Sequence, residues 1–488
     1  MGEWIRNIYN AGLQAVVALV LGLFELIAEL TRENEALRDK VASLEKDSTN
    51  SSKPPSSDGL KKKRGSPKRG SCGRRPGAQK GHVGKTRAPV PPQQVSRTVP
   101  YRPTDCERCR RHFDGTEHRE VVERRQTWGM PKIEPVVTEH DFYAVECPCG
   151  HRTRLPVPDG LMCGIDEDLQ ALIAYLTGEA RLSRRTLQKI LAEVFGTPIS
   201  VGALQNRLED TSDALEPTCR ELEDALAREP VINIDETSYP HNTTLAWLWA
   251  FVAETFVYFT IAASRGSKVL RAVLGKAFDG IIICDRFSAY VKYHKDRACG
   301  LIQFCWAHII RQAKGLPAVC ACGSGELFSR LARARIGTVF RLWHAFKRGH
   351  LSRQQLIEKT QAPIGRLRTL LEENLHSSSK EVRTFCKGQL GKWNSLWTFI
   401  YHEGVEPTNN LAERLIRPAV QTRKISYCTR SHNGQLLRAR LLTVLETCRM
   451  QGRNPLEFLV AAIRAKRQGH RFPSLLPAEA KHREQIAA

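Results

Sequence analysis

The first pattern along the chain is a seven-residue repeat of apolar positions. One position of the repeat holds leucine throughout, and the position three before it is apolar in all but one case: Leu23, Leu30, Leu37 and Leu44, with Val20, Ile27, Asn34 and Val41. Such a repeat forms the seam of a coiled coil, and a lone Asn in the seam fixes register and favours a parallel dimer. We predict a leucine-zipper-like coiled coil over residues 1–47 and a homodimer or higher oligomer. A helix packed within its own chain is the alternative.

The apolar pattern stops at residue 48, and residues 48–100 are rich in Ser, Pro, Gly and basic residues. This composition predicts a linker that is disordered or extended when free. Twelve Lys or Arg residues stand against the single acid Asp58 between Lys53 and Arg87. We expect DNA phosphate contacts here, with a solvated linker as the alternative. The expected contacts are Lys61, Lys62, Lys63, Arg64, Arg74 and Arg75.

Two close cysteine pairs follow between residues 101 and 158. Cys106 and Cys109 have the usual CxxC spacing of a zinc knuckle, whereas Cys147 and Cys149 form a shorter CxC pair ahead of His151. Thiolates in two such pairs can hold a tetrahedral zinc ion. We predict a zinc-ribbon-like module with one structural Zn²⁺, whose fourth ligand is Cys149 or His151. Free cytosolic thiols are the alternative.

Residues 159–228 have helical periodicity, interrupted by the short break TPIS. The pattern predicts a helix, a turn and a second helix capped by Ser200. Such a pair can place its second helix in the major groove of DNA, where Gln205, Asn206 and Arg207 would reach the bases. An ordinary helical hairpin is the equal alternative.

After Pro230 the pattern changes to short apolar runs that are rich in β-branched and aromatic residues. Three runs in succession predict an antiparallel meander, and two further runs alternate with helical stretches. The five runs are VINIDETS, LAWLWAFVAE, FVYFTIAAS, IIICDRFSAY and GLIQFCW. This order is that of an α/β RNase H-like core. We assign it residues 229–445 with a helical insertion at about 310–400, followed by a C-terminal helical tail over 446–488.

Two aspartates directly follow apolar runs of this core. Asp235 lies in the middle of the first predicted strand, and Asp285 lies at the carboxyl end of the fourth. A carboxylate beside a buried strand is costly unless it is paired, hydrogen-bonded or bound to a metal ion. Magnesium takes oxygen ligands, and two such ions can drive an in-line displacement at phosphorus. An acid that merely caps a turn is the alternative for each residue alone.

A third carboxylate is available on the predicted helix NNLAERLIRP. Glu413 could be a metal ligand, but Asn410 as the N-cap with Glu413 three residues later also fits a capping box. Arg414 and Arg417 follow on the same segment and could hold a DNA phosphate. His308, near the end of the fifth predicted strand, is either a structural histidine or a contact to phosphate.

Charge and cysteine content narrow the class of protein. The 488 residues exceed what one core usually serves, and 74 Lys and Arg against 51 Asp and Glu give a net charge of +23. This excess favours nucleic acid as the partner. No signal-peptide pattern opens the sequence, so we expect reduced thiols in a cytoplasm. The apolar stretch from Leu13 to Leu30 contains Gln14, Glu25 and Glu29, so we expect no membrane span.

The chain resembles the insertion sequence 66 family of bacterial transposases along nearly its whole length. The resemblance rests on motifs in a fixed order: a leucine-rich coil, NSSKPPSSD, GAQKGHVGKT, the cysteine pairs, DETS with WLWAF, CDRFSAY, CWAHIIRQAK and NNLAERLIRP. It implies a DDE triad of Asp235, Asp285 and Glu413 that uses two Mg²⁺ or Mn²⁺ ions. The implied partners are the element ends and target DNA, and similar elements often encode accessory proteins. The implied location is the bacterial cytoplasm, at the nucleoid.

Two other functions compete with transposition. A zinc-containing DNA-binding regulator would need no catalytic carboxylates, but its basic region would be a continuous helix before its zipper. Here the basic segment follows the coil and contains PPSSDG. An RNase H-like nuclease would cleave DNA without joining strands, and only its reaction products would distinguish it.

Overall fold

The protein is described here by a computed structural model. It covers residues 12–44, 83, 87–158, 161, 164–297, 299–320, 324–426 and 429–477. The expected phosphate contacts Lys61, Lys62, Lys63, Arg64, Arg74 and Arg75 lie outside the described residues. The chain divides into two compact units, one comprising Leu60–Val136 and the other comprising Met1–Gly59 with Val137–Ala488.

The second unit contains nearly all of the regular structure. Its strands in the described residues are β1 (Ala144–Glu146), β2 (Arg152–Arg154), β3 (Val231–Ser238), β4 (Trp247–Val252), β5 (Val257–Ala262), β6 (Ile281–Cys284) and β7 (Leu301–Phe304). Its helices up to β7 are α1 (Leu13–Leu44), α2 (Glu167–Gly178), α3 (Arg184–Glu193), α4 (Val201–Leu226), α5 (Ser267–Leu274) and α6 (Ser288–Asp296). The later helices are α7 (Trp306–Val319), α8 (Ser324–Lys347), α9 (Arg353–Glu373), α10 (Lys380–Leu390), α11 (Thr398–Tyr401), α12 (Asn410–Leu415), α13 (Arg417–Ser426), α14 (His432–Met450) and α15 (Pro455–Gln468).

Five strands form the central sheet in the order β5-β4-β3-β6-β7. The strands β3, β4 and β5 are an antiparallel meander, whereas β6 and β7 run parallel to β3. All five strands predicted from the sequence are therefore present, and the protein is a mixed α/β structure. The sequences of β6 and β7 are nearly continuous apolar runs, as expected because parallel strands are usually buried on both faces.

The two faces of the sheet are covered by different helices. Residues opposite each other on paired antiparallel strands lie on the same face, and Asp235 is opposite Ala250. Ala250 packs with Ala412 and Leu415 of α12 and with Leu442 of α14. The face of the sheet that carries Asp235 is therefore the one covered by α12.

Helices α7 to α11 fill the segment between β7 and α12. An aromatic cluster ties them to the end of β7: the rings of Trp306 and Trp397 lie 4.7 Å apart, and those of Trp343 and Phe399 lie 5.0 Å apart. Trp306 Nε1 also donates a hydrogen bond to the Leu396 carbonyl at 2.6 Å. These helices occupy the segment in which we predicted an insertion, whose bounds stay a prediction.

Helix α1 carries the heptad repeat. Its described seam side chains are largely exposed in the single chain: Val20, Leu23, Ile27, Leu30, Leu37 and Val41. The helix is long enough for the predicted coiled coil, and the coiled coil itself stays a prediction. Among the described residues, no helix is both long and apolar enough to cross a membrane.

Candidate active site

Asp235 lies in the middle of β3 with a partly buried side chain. Strand β6 runs beside β3 in a register that pairs Asn233 with Ile283. Continuing this register by two residues brings Asp285 level with Asp235. Two carboxylates predicted from separate strands thus meet at one position of the sheet.

Asp285 follows β6 directly and begins the turn into α6. Its Oδ1 accepts a hydrogen bond from the Phe287 backbone N–H at 2.8 Å. The backbone carbonyl of the preceding residue, Cys284, accepts a hydrogen bond from the Cys305 N–H at 2.8 Å. The turn that carries Asp285 is thereby fixed to the end of β7.

Glu413 is held beside the strands by Asn409, the residue that precedes α12. The Asn409 amide donates to the Ile234 carbonyl at 2.7 Å, and its oxygen accepts from Asn233 Nδ2 at 3.0 Å. Asn409 is 1% exposed. The first turn of α12 is therefore attached to β3 on the residues just before Asp235.

The capping box that we considered for Glu413 is wrong. The N-cap of α12 is Asn409 and not Asn410, and no side chain caps this helix. The Asn409 side chain is committed to β3 instead, because the buried Ile234 carbonyl needs a donor. Glu413 is therefore free of the backbone contact that would have competed with metal binding.

The pKa of Asp235 reports the charges of the other two predicted acids. Burial raises the pKa of Asp235 well above its ordinary value, and the charges of Glu236, Asp285 and Glu413 raise it further. Like charges that share a site disfavour each other's ionised forms. Asp285 and Glu413 thus both lie within electrostatic reach of Asp235.

Cys305, His308 and Glu413 form a second group at the same place. Their ligand atoms lie within 4.8 Å of one another, and His308 Nδ1 is 3.6 Å from Glu413 Oε1. Both of these atoms are buried without a hydrogen-bond partner. Burial lowers the pKa of His308, with Glu413 and Asp285 opposing the shift. A neutral imidazole nitrogen and a carboxylate oxygen that lack hydrogen-bond partners can both serve as ligands of a divalent cation.

The sequence analysis missed Glu236, although it is the next residue after Asp235. Its side chain is 2% exposed and pairs with Arg265 at 2.7 Å. Its other oxygen accepts a hydrogen bond from the Tyr290 hydroxyl. Burial raises the pKa of Glu236 to about 7, with Asp285 adding to the shift. Because side chains alternate along a strand, Glu236 supports β3 from the opposite face of the sheet.

The expected phosphate contacts Arg414 and Arg417 differ in their surroundings from Arg423, a further arginine on the segment after Glu413. Arg414 and Arg417 are exposed, as a DNA contact requires. Arg423 instead donates hydrogen bonds to Ser238 and, at 3.1 Å, to Thr237 Oγ1. Arg423 therefore holds the end of β3.

The helix pair α3 and α4 is present, and Ser200 caps α4 by accepting a bond from the Ala203 N–H. The expected base contacts are partly occupied within the chain. Gln205 bonds to Arg184 at 3.1 Å and to Glu209 at 2.8 Å, and Arg207 lies 3.7 Å from Asp210. Base contacts from Gln205 and Arg207 would need these bonds to break.

Each cysteine pair lies in a tight turn of its own unit. At the first, the Cys106 N–H bonds to the Arg111 carbonyl, and the Arg110 N–H bonds to the Cys106 carbonyl. At the second, the Cys147 N–H bonds to the His151 carbonyl between β1 and β2. Backbone hydrogen bonds from Cys109 and His151 lower the pKa of the Cys106 and Cys149 thiols, respectively. Such turns suit thiolate ligands, and the zinc ion stays a prediction.

Comparisons with known proteins cover both halves of the chain. The model of the transposase IS66 family matches residues 164–436, which is more than half of the chain and contains all three acids. A family of unknown function (DUF6444) matches residues 5–88. Uncharacterized protein y4qI of Sinorhizobium fredii (strain NBRC 101917 / NGR234) is 30% identical over 261 residues, 48% of this chain and 47% of the relative. The chain thus spans about half the length of the curated relative that it matches.

Proposed function

The chain belongs to the transposase IS66 family, and we propose that it moves an insertion element by cutting and joining DNA strands. In this proposal Asp235, Asp285 and Glu413 are the catalytic carboxylates. The single observation that carries it is the placement of the three acids at one part of the sheet: the β3–β6 register sets Asp285 beside Asp235, and Asn409 attaches the start of α12, which carries Glu413, to β3.

The fold supports this proposal. The sheet has three antiparallel strands followed by two strands parallel to the first, in the order β5-β4-β3-β6-β7. This is the arrangement expected of an RNase H-like core. We propose that assignment for residues 229–445. It places one acid mid-strand and one just past a neighbouring strand, and the third comes from a helix on the same face.

The residues present fit divalent cations. The charges of Asp285 and Glu413 raise the pKa of Asp235, and the buried Glu413 Oε1 and His308 Nδ1 have no hydrogen-bond partner. Asp235, Asp285 and Glu413 would hold two Mg²⁺ or Mn²⁺ ions. Ions so held supply the positive charge that favours attack at phosphorus and stabilises the leaving oxygen.

The protein's own contribution to the reaction is to hold the carboxylates in place. In the first step water attacks a phosphodiester at the element end, and the freed 3′-hydroxyl then attacks target DNA. No covalent bond to the protein forms in either step. Asn409 and the Cys305–Cys284 backbone contact keep the carboxylates in register through both steps. Rigid placement of this kind is the main protein contribution to such reactions.

The remaining modules extend the same proposal. We infer that α1 pairs protomers through its exposed seam. The basic segment, the zinc module and the α3–α4 pair would bind element ends, with Arg414 and Arg417 contributing near the site. Accessory proteins of the element, where present, would join this complex in the bacterial cytoplasm at the nucleoid.

Cleavage and strand transfer on labelled DNA that carries the element's own ends test the proposal. The full chain is compared with Asp235→Asn, Asp285→Asn and Glu413→Gln in Mg²⁺ or Mn²⁺. We expect each substitution to abolish both products while DNA binding persists. The matched control is Glu372→Gln, a change of a half-exposed glutamate on α9, which should retain activity.

The other functions give different products. Cleavage that is never followed by joining would establish a nuclease. DNA binding that needs no metal, with no cleavage in any of the five proteins, would establish a regulator and overturn the proposal.

A further inference from the structure

A basic cavity lies beside Asp285, outside the groups already described. Its volume is about 480 Å³, and four cations line it: Arg286, Lys292, Lys295 and Lys392. Ser288 and Asp296 complete its polar lining. Arg286 is the residue after Asp285, so the cavity begins next to a proposed catalytic carboxylate.

One wall of the cavity is α6. Ser288, Lys292 and Lys295 are spaced four and three residues apart and therefore share one face of this helix. No side chain caps the N terminus of α6 at Ser288. The first turn thus adds a partial positive charge at the Ser288 end of this face.

The other wall comes from the helical segment between β7 and α12. The Arg286 guanidinium donates hydrogen bonds to the Gly388 carbonyl at 3.2 Å and to Gln389 Oε1 at 2.7 Å, which joins the β6–α6 turn to α10. Lys392 follows α10, with its ammonium 5.5 Å from the centre of the Phe304 ring. Two separate parts of the core thus supply cations to one space.

These charges are not neutralised within the part of the chain that the structure describes. The one acid in the lining, Asp296, pairs with Arg271 at 2.8 Å. No ion pair in the described residues involves Lys292, Lys295 or Lys392. Burial lowers the pKa of Lys392, and the charges of Arg286 and Lys295 lower it further. Three lysines that are kept close to other cations and have no ion-pair partner of their own are stabilised by an external anion.

We propose that this basic cavity binds the phosphodiester backbone of the DNA strand next to the bond being cut. This inference rests on the proposed function, because that function brings DNA to Asp285. The helices between β7 and α12 then have a role of their own: through Lys392 they complete the binding site on the far side of the strand.

Lysine acetylation of the unmutated full chain tests the proposal directly. The probe is a 30-base-pair DNA duplex, and mass spectrometry reports the reaction of each lysine with and without it. We expect acetylation of Lys292, Lys295 and Lys392 to fall several-fold when DNA is added. Lys359, an exposed residue of α9, should react equally in both cases. Equal reaction of the three cavity lysines with and without DNA would overturn the proposal.

A triple variant measures how much the three lysines contribute to DNA affinity. Lys292→Gln, Lys295→Gln and Lys392→Gln together should weaken duplex binding about tenfold. They should also reduce the slope of log affinity against log salt by about 2–3, since each phosphate contact contributes about 0.9. The matched control changes three exposed cations of α8 and α9: Arg341→Gln, Lys359→Gln and Arg366→Gln. An unchanged salt slope in the cavity variant would count against the proposal.

Cleavage assays on the unmutated full chain, run beside the acetylation measurements, separate this proposal from the proposed function. Protected lysines in an unmutated chain that never cleaves DNA would leave the cavity standing and remove the transposition mechanism. Efficient, metal-dependent cleavage with unprotected lysines would remove the cavity alone.

Discussion

The side-chain amide of Asn409 donates a hydrogen bond to the backbone carbonyl of Ile234, across 175 residues of sequence. The bond fixes α12 to β3 one residue before Asp235 and four residues before Glu413. It links the segments that carry the first and third acids of the proposed triad.

Replacing Asn409 with alanine should therefore damage both stability and catalysis. Loss of the amide leaves the buried Ile234 carbonyl without a donor, which costs about 1–3 kcal/mol. Urea unfolding measures that cost. Strand cleavage by the variant should also fall, because Glu413 is no longer held in place beside β3. Asn394→Ala, at an exposed position, is the control. Equal unfolding midpoints for the two variants would contradict the role of Asn409.

Asp235→Asn should stabilise the metal-free protein. The pKa of Asp235 is raised by burial and neighbouring carboxylates, so its ionised form opposes folding at pH 8. Asparagine removes that charge, and a gain of about 1 kcal/mol corresponds to about 2–4 °C in a domain of this size. Thermal unfolding with and without Mn²⁺ tests this: the unmutated chain should gain stability from the ion and the variant should not. A variant that melts lower in chelator would argue against the repulsion.

His308→Ala should change which metal supports the reaction. Nitrogen and sulfur ligands favour Mn²⁺ over Mg²⁺, and His308 and Cys305 lie with Glu413 in one group. We expect the ratio of Mn²⁺-supported to Mg²⁺-supported cleavage to fall severalfold in this variant. His376→Ala, on a short 3₁₀ turn after α9, is the control. A ratio that does not change would assign His308 a structural role.

Glu446, a residue outside the proposed active site, should make the free energy of unfolding depend on pH. Its side chain is 7% exposed and bonds to Arg449 at 2.6 Å, yet burial raises its pKa to about 7. The folded state thus holds this proton more tightly than the unfolded state, whose pKa is near 4.5. The resulting stability is present below pH 4.5 and is lost as the pH rises through 7.

Glu446→Gln tests this relationship. The variant should match the unmutated chain near pH 5 and exceed it by about 1–3 kcal/mol at pH 8. Denaturant unfolding at both pH values measures the difference, with the exposed Glu358→Gln as the control. A variant that is less stable at pH 8 would show that the charged pair with Arg449 dominates.

The zinc prediction can be checked by metal analysis. The purified chain should contain about one zinc ion per chain, and a strong chelator should remove it. Cys106→Ser and Cys147→Ser should each abolish the zinc content. Cys299→Ser, another exposed cysteine, should retain it. Zinc that persists in either pair variant would show that the two pairs do not act together.

The sequence predicted the strands well because burial on one or both faces leaves a direct signature in residue type. Asp235 and Asp285 were found for the same reason, since each interrupts or ends an apolar run. Asn409 was missed because its role depends on a carbonyl far away in the sequence, and no local pattern marks such a partner. Its neighbour Asn410 fitted a capping box equally well by spacing alone, and only the packed structure distinguished the two. Glu236 was not predicted because its role depends on Arg265 and Tyr290, and the sequence around Glu236 does not indicate these partners.

The long separation between Ile234 and Asn409 also bears on when the protein becomes active during synthesis. The strands that carry Asp235 and Asp285 leave the ribosome well before α12, and the helices from α7 to α11 must be made in between. A nascent or truncated chain can therefore form most of the sheet and still lack the third carboxylate. Contacts that join distant parts of a chain are also slow to form. In the proposed mechanism, the placement of Glu413 thus delays DNA cutting until the core is nearly complete, which would limit damage by unfinished protein.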